Sequence, residues 1–564
     1  MKLAAPATAA AVTVLLAGLA GLGGPPAGGG QPGRDRAPAV SGGPAAALGT
    51  VTLASHDTRY RAEPRPPVSA SRGAGLGAAQ AGTASPGEPT WGIYAPAVAR
   101  AWRLARTAPP QPPAVAGPFV TDIAGVACPT VLECVAGGYY YDSSDTFRGL
   151  LLTGHGSSWT AAQAAVPAGA ATRPQPIISG VACPSAGECV AVGSYQDSSG
   201  NSQGLLLTGH GSSWTAARAP VPPGAAGNSG VTITEIACPS AGECVAVGFW
   251  VDSSLNSHLF LLTMRGSSWT AATAPLPAGA SASYGAGVSV LACPSATACT
   301  AAGSYNDSSG TAHLFLLTMG GSSWTAATTA LPAGAPAIPY IFIEGIACRS
   351  AAVCIATGWY GDANAPPAGN QGLLLTQHGS SWTAATAPLP GGITAPYTSV
   401  WAAACSAGAG CVAVGDYQVS PASSGGLLLT RQQTSWTAAT APVPAGAAAN
   451  PLSSIMAVAC PPAGTCTAGG SYQDSSGHAQ GLLLTRLRWS WTAARAPVPS
   501  GAATNPEVSI TGIACPSVTT CAAIGGYTDS VGNIQGLVLT RHCSSWTAVR
   551  APLPADAADR HPGY

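Results

Sequence analysis

Charge is scarce in this sequence. Of 564 residues only 8% are Asp, Glu, Lys or Arg, and the formal net charge is zero. A nucleic-acid surface needs a basic field, so no nucleic-acid partner is expected. Lysine is nearly missing, with Lys2 the only one. That excludes lysine Schiff-base chemistry and a phosphate-loop lysine from all that follows. Glutamate is rare. Glu63 and Glu88 lie in a Gly- and Pro-rich stretch, and Glu133, Glu188 and Glu243 stand beside cysteines. A glycosidase pair of carboxylates is therefore hard to assemble. G-x-S-x-G, H-E-x-x-H and Gly-rich phosphate loops are all missing. Cysteine is missing before Cys128, which excludes a lipid-modified N-terminal cysteine.

Long apolar runs are also few. Lys2 is followed by a mostly apolar run from Ala9 to Ala20 that ends on Gly18-Leu19-Ala20. Residues 1–20 read as a secretory signal peptide, with an uncleaved anchor as the alternative. The run is short for a full span, so no stable transmembrane segment is expected after cleavage. The mature chain is expected outside the cell, free or associated with the cell wall. Residues 21–90 are rich in Gly, Pro and Ala without hydrophobic period and read as a disordered linker. Residues 91–117 are transitional. There "AWRLARTAPPQPP" is a worn copy of a later segment, and Trp102 is a candidate for an extra closing strand or a short helix.

What the chain has in abundance is repetition. A unit of about 55 residues recurs eight times, with first cysteines Cys128, Cys183, Cys238, Cys293, Cys348, Cys405, Cys460 and Cys515. Each copy holds a "VACPSAGECVAVG"-like block, a polar turn, a "GLLLT" block and a "SSWTAA" block. Such a period marks a repeat architecture. Gly (72) and Pro (50) suit turn-rich β structure. Each copy predicts four short strands, a to d. The unbroken "GLLLT" run fits a strand covered on both faces, and proline after "SSWTAA" stops the last strand. Eight four-stranded units predict an all-β, eight-bladed propeller over 118–559, with 560–564 as a tail. A β-solenoid is the rival fold.

Sixteen of the seventeen cysteines fall in C-x5-C pairs. Cys128 goes with Cys134, Cys183 with Cys189, Cys238 with Cys244, and Cys293 with Cys299. Cys348 goes with Cys354, Cys405 with Cys411, Cys460 with Cys466, and Cys515 with Cys521. Zinc sites prefer closer spacing and need further ligands. Histidine does not recur beside these pairs, so one disulfide per blade is expected and no metal. Cys543 is left over, unpaired or available for an intermolecular bridge.

The c–d segment "LLLTGHGSSWTAA" resembles the Asp-box, or BNR, repeat of sialidase-like propellers. Gly156, Ser158 and Trp159, and again Gly211, Ser213 and Trp214, stand at its glycine, threonine and tryptophan. The "CVAVG" block is similar to strand b of the same families. Gly154, Gly209, Met264, Met319, Gln377, Arg431, Arg486 and Arg541 occupy the place of the namesake aspartate. The paired cysteines also resemble secreted repeat proteins of actinobacteria. A sialidase-like site would need an arginine cluster, a tyrosine nucleophile and acids at the channel mouth. Arg431, Arg486 and Arg541 share a column, but in the c–d turns, on the face away from that family's pocket.

Strand order puts the a–b and c–d turns on one face and the b–c and d–a connections on the other. An aromatic follows each second cysteine by six: Tyr140, Tyr195, Trp250, Tyr305, Tyr360, Tyr417, Tyr472 and Tyr527. In seven copies an aspartate comes two later, Asp362 among them; the sixth copy has Val419. A column present in every blade reads as packing and turn chemistry before it reads as a sugar platform. The departures are the better site candidates. Four before each first cysteine stand Ala124, Ser179, Thr234, Ser289, Glu344, Trp401, Met456 and Thr511. Glu344, Trp401 and Glu235, with Tyr360 and Asp362 beside the long b–c loop of the fifth copy, are the candidate ligand residues. The expected function is a secreted, disulfide-stapled scaffold that binds protein or glycan without catalysis. A glycan-active hydrolase is the alternative. No cofactor is expected, and the chain is expected to be a monomer.

Overall fold

The computed structural model describes residues 121–558, apart from 226–229, 253–255, 282–285, 363–368, 408–409, 421–422, 462–463 and 489. The signal peptide, linker, transitional segment and tail inferred above lie outside the described residues. Thirty-two strands run from β1 (Thr121–Ala127) to β32 (Ser545–Arg550). They form eight antiparallel units of four consecutive strands, and this defines a β-propeller. In blade 1, β1 pairs with β2 (Glu133–Tyr141), β2 with β3 (Phe147–His155), and β3 with β4 (Ser158–Gln163). Blades 5 and 6 are further joined by one backbone pairing, Asn370 with Tyr397. Among the described residues no helix is long and apolar enough to cross a membrane.

The ring closes. The first strands of the blades lie against one another in succession, from β1 round to β29 (Ser509–Ala514), which lies against β1. Eight apolar clusters fill the eight junctions between blades. The last of them joins Ile123, Val126 and Leu150 of blade 1 to Ile524 and Val538 of blade 8. The "LLL" run explains how one strand serves two junctions. Leu205 and Leu207 face blade 1 and Leu206 faces blade 3. Burial of each such leucine stabilises by roughly 1.5–3 kcal/mol.

Each blade carries its own cross-link, and every bridge stays within one blade. Cys128 is bonded to Cys134, Cys183 to Cys189, Cys238 to Cys244, and Cys293 to Cys299. Cys348 is bonded to Cys354, Cys405 to Cys411, Cys460 to Cys466, and Cys515 to Cys521. The Cα–Cα distances are 4.0–4.1 Å throughout. The bridges clasp the a–b turn, where two strand ends meet. Cys543 is a free, exposed thiol. It takes the c–d turn position with φ 55°, which Gly156 and Gly211 hold at φ 61° in blades 1 and 2.

A second feature repeats in all eight blades. The first strand bulges, and the unpaired residue is Ala124, Ser179, Thr234, Ser289, Glu344, Trp401, Met456 or Thr511. A bulge adds one residue to one strand and re-aims its side chain. The glycine of "VAVG" permits it. A Cβ on Gly193 would lie 1.9 Å from the Ile177 carbonyl oxygen, and one on Gly358 1.9 Å from that of Phe342. Only glycine lets strand a come so close to strand b.

Candidate functional site at the channel mouth

The first strands of successive blades lie against one another, and each bulge takes one variable side chain out of the strand pairing. In blade 5 the bulge on β17 (Pro339–Ser350) presents Glu344, 5% exposed. Its Oε1 accepts a 3.0 Å hydrogen bond from the indole N–H of Trp359, on β18 (Val353–Asp362). Trp359 stacks on Phe342, with ring centroids 4.4 Å apart, and Tyr340 meets both rings edge-on. Phe342 remains 41% exposed, so one wall of this aromatic stack is open. Tyr340 is held by its hydroxyl, which donates to Asn370 Oδ1 at 2.7 Å.

Blade 6 uses the same two positions with the residues exchanged. The bulge on β21 (Tyr397–Ser406) presents Trp401, and its indole N–H donates to Asp416 on β22 (Gly410–Ser420). Ser454 of blade 7 donates to the same Asp416 oxygen at 3.0 Å. Desolvation lifts the Asp416 carboxyl above its usual range, against the downward pull of these two bonds. Glu344 and Trp401 thus stand on neighbouring blades, but each is bonded within its own sheet.

The remaining candidates lie elsewhere. Glu235 is one residue past its bulge and only 1% exposed. Gly125, Gly180, Val290, Gly345, Ala402, Ala457 and Gly512 occupy that column in the other blades. The column faces the next blade, since a Cβ on Gly180 would lie 3.3 Å from Ile236 Cγ2. The Glu235 carboxyl is therefore pressed between blades 3 and 4. Burial pushes it well above its ordinary range, opposed by the Ile236 backbone N–H. Tyr360 is buried in the junction of blades 4 and 5, with its hydroxyl 3.0 Å from Thr386 Oγ1. Asp362 ends β18, opposite Pro339.

The aspartate column makes turns. Asp197 Oδ1 accepts from the Ser199 and Asn201 backbone N–H groups, and Oδ2 accepts from Gln203 Nε2. Asp474 and Asp529 repeat the arrangement. Burial pushes Asp529 upward, but these hydrogen bonds together hold it below the usual carboxylate range. The Arg431, Arg486 and Arg541 column is tucked into the blade junctions on the opposite face. Arg541 donates there to Thr467 Oγ1 of blade 7 at 3.1 Å, and desolvation lowers the pKa of all three. Among the described residues no group of three or more His, Cys, Asp or Glu side chains could hold a metal ion.

Sequence reasoning missed Trp359, Phe342 and Asp416. Trp359 and Asp416 belong to a strand b column, five after each second cysteine, that reads Tyr139, Ser194, Phe249, Ser304, Trp359, Asp416, Ser471 and Gly526. Its variability is the same signal that singled out the bulge column.

No family model matches the sequence, and no curated protein matches it. Among solved structures, the chain is similar to the β-propeller domain of the Trilobed protease from Pyrococcus furiosus, at 6% identity and TM-score 0.37, covering 67% of this chain and 97% of that one. It is also similar to a Trypanosoma rangeli sialidase, at 11% identity and TM-score 0.31, covering 79% and 87%. A fucose-specific lectin from Aleuria aurantia matches at 14% identity and TM-score 0.28, covering 56% and 92%. The overlap is loose in each case, and the fold is defined by the ring of sheets itself.

Proposed function

We propose that the protein is a secreted binding scaffold that holds a glycan at the channel mouth of blades 5 and 6 without turning it over. The observation that carries this reading is the half-open aromatic stack of Phe342 and Trp359 beside Glu344. An exposed ring face packs on the apolar face of a sugar, and a neighbouring carboxylate accepts its hydroxyls. Both acids already bond to indole N–H groups, which fixes the rings and fits a rigid platform better than a proton shuttle. Eight disulfides support an oxidising location. The Asp-box kinship of the c–d segment belongs to the same proposal.

A hydrolase reading has one observation in its favour. Asp416, kept toward its protonated form, sits on the blade next to Glu344, and acid and base roles on carbohydrate call for two carboxyls in different states. A glycan array separates the two, run with the native protein and Trp359→Ala and backed by fluorogenic glycosides. Binding that Trp359→Ala abolishes, without turnover, is the expected result. An array without binding sinks the platform, and turnover lost in Glu344→Gln installs the hydrolase in its place.

A further inference from the structure

A different recess lies between two blades, on the face of the b–c turns. At the junction of blades 7 and 8 an open recess of about 510 Å³ is lined by Tyr527, Asp529 and Arg550 of blade 8 and by Pro499, Ser500 and Gly501 of the preceding connection. Tyr527 is only 2% exposed, yet its ring lines this recess. The hydroxyls of Tyr195, Tyr472 and Tyr527 have no hydrogen-bond partner among the described residues. In blades 5 and 6 the equivalent hydroxyls are closed off by Thr386 and Thr440, at 3.0 and 2.9 Å.

The residue that differs stands four after each fourth-strand tryptophan. It is Gln163, Arg218, Thr273, Thr328, Thr386, Thr440, Arg495 and Arg550 in turn. Three junctions therefore pair a buried tyrosine with an exposed arginine, Tyr195 with Arg218, Tyr472 with Arg495, and Tyr527 with Arg550, and the last of them opens into the recess. Register brings each pair to one end of the third strand: Tyr195 is opposite Gln203 and Arg218 opposite Leu205, Tyr472 opposite Gln480 and Arg495 opposite Leu482, and Tyr527 opposite Gln535 and Arg550 opposite Leu537. Burial raises the pKa of all three tyrosines, and the arginine charge opposes it. Backbone bonds cross each junction, from Ser198 N–H to Gly169 O, Ser475 N–H to Gly446 O and Ser530 N–H to Gly501 O.

The junction of blades 8 and 1 shows what such a place accepts. There Asp556 takes the place of Gly169, Gly446 and Gly501, with Ser143 N–H donating to its carbonyl oxygen at 3.0 Å. Its carboxylate Oδ1 accepts a 2.7 Å hydrogen bond from the Tyr140 hydroxyl. Arg148 and the turn aspartate Asp142 flank the same tyrosine and pair at 2.7 Å. The protein thus seats its own carboxylate on the junction tyrosine, beside one arginine and one turn aspartate. The other three junctions have the same tyrosine and turn aspartate but no such carboxylate; glutamine stands at the Arg148 position, and the arginine comes instead from the end of the fourth strand, where blade 1 has Gln163.

We propose that these three junctions bind carboxylates from outside, and that their ligand is an acidic polysaccharide with one uronate per repeat. They are the junctions of blades 6 and 7, 7 and 8, and 1 and 2, on either side of the self-filled one, so the sites run along one arc of the rim. A polymer with regularly spaced carboxylates engages several at once and gains by effective concentration. The recess supplies an arginine, a phenol and the Ser500 and Ser530 hydroxyls around a small Pro-Gly wall. That set suits a hydroxyl-rich ring more than an apolar peptide anchor.

Calorimetric titration of the full chain with oligogalacturonate tests this, with the methyl-esterified oligomer and polyglutamate as comparisons. The acid form is expected to bind. Esterification, and the triple variant Arg218→Ala, Arg495→Ala, Arg550→Ala, are each expected to weaken binding by roughly tenfold or more, since each removes charge-assisted hydrogen bonds. The triple variant Tyr195→Phe, Tyr472→Phe, Tyr527→Phe keeps every charge and is expected to lose a few-fold. His155→Ala, in an exposed c–d turn on the opposite face, is expected to bind oligogalacturonate as the native protein does. The proposal is overturned by no binding of the acid form, by native affinity in the arginine variant, or by polyglutamate binding as tightly as the uronate.

Discussion

Blades 2 and 5 share their structural parts and part company at the bulge and the residues around it. Both have the a–b disulfide, a junction tyrosine and a strand b glycine that admits the bulge. At the bulge, blade 2 has Ser179, whose hydroxyl donates to the Ile233 carbonyl of blade 3 at 2.6 Å. Blade 5 has Glu344, which holds Trp359 instead. In one blade the re-aimed side chain seals the wall, and in the other it organises an aromatic surface. The shared residues hold the wheel together, and the ones that depart from the repeat are free to carry chemistry.

The most severe way to probe the shared part is the strand b glycine. Gly193→Ala and Gly358→Ala each drive a methyl group into a backbone carbonyl at 1.9 Å. Both are expected to cost about 3 kcal/mol or more in chemical denaturation, because neither strand can yield without breaking its ladder. Equal losses are the expectation. A large loss at Gly193 with a small one at Gly358 would show that blade 5 does not keep its bulge by the common route.

The disulfides come next in size. Each closes a loop with sequence separation 6. On the chain-entropy account such a closure contributes about 2 kcal/mol. Cys183→Ser with Cys189→Ser, and Cys348→Ser with Cys354→Ser, should therefore fall short of the native protein by similar amounts in equilibrium unfolding. A negligible loss in either blade would show that its turn is fixed by packing alone.

The sequence made the wheel legible because every structural demand is written eight times. The cysteine pairs, the "LLL" run and the junction aromatics each answer one local constraint, and a period exposes all of them together. The bulge was less visible, since nothing in "ISG" or "IEG" announces an extra residue until the facing glycine is seen to touch a carbonyl. The site was legible only in part. Glu344 and Trp401 stood out as departures, but their partners Trp359 and Asp416 lie fifteen residues along the chain, on the next strand. Pairing across a bulge depends on register, and register is set by the fold. The carboxylate that fills the junction of blades 8 and 1 was still harder to foresee, because Asp556 meets a tyrosine 416 residues away.

Glu235 offers the finest test of the same contrast. Seven blades place Gly, Ala or Val in its column and one places a carboxyl, buried where the inner strands of blades 3 and 4 meet. Its pKa is raised in the folded protein because burial disfavours the charged form. The folded state then holds this proton more tightly than the unfolded state does. Stability from the carboxyl is complete below the ordinary carboxylate range and is lost as pH rises from there through the raised folded value. Glu235→Gln has nothing to titrate, so its stability curve should lack this fall. Relative to native, the variant should be level or slightly weaker in acid and should gain steadily toward neutral pH. Denaturation midpoints of the two proteins across that window give the difference curve directly. A flat difference would mean that Glu235 ionises in place without cost, and that water or a neighbouring group reaches it between the blades.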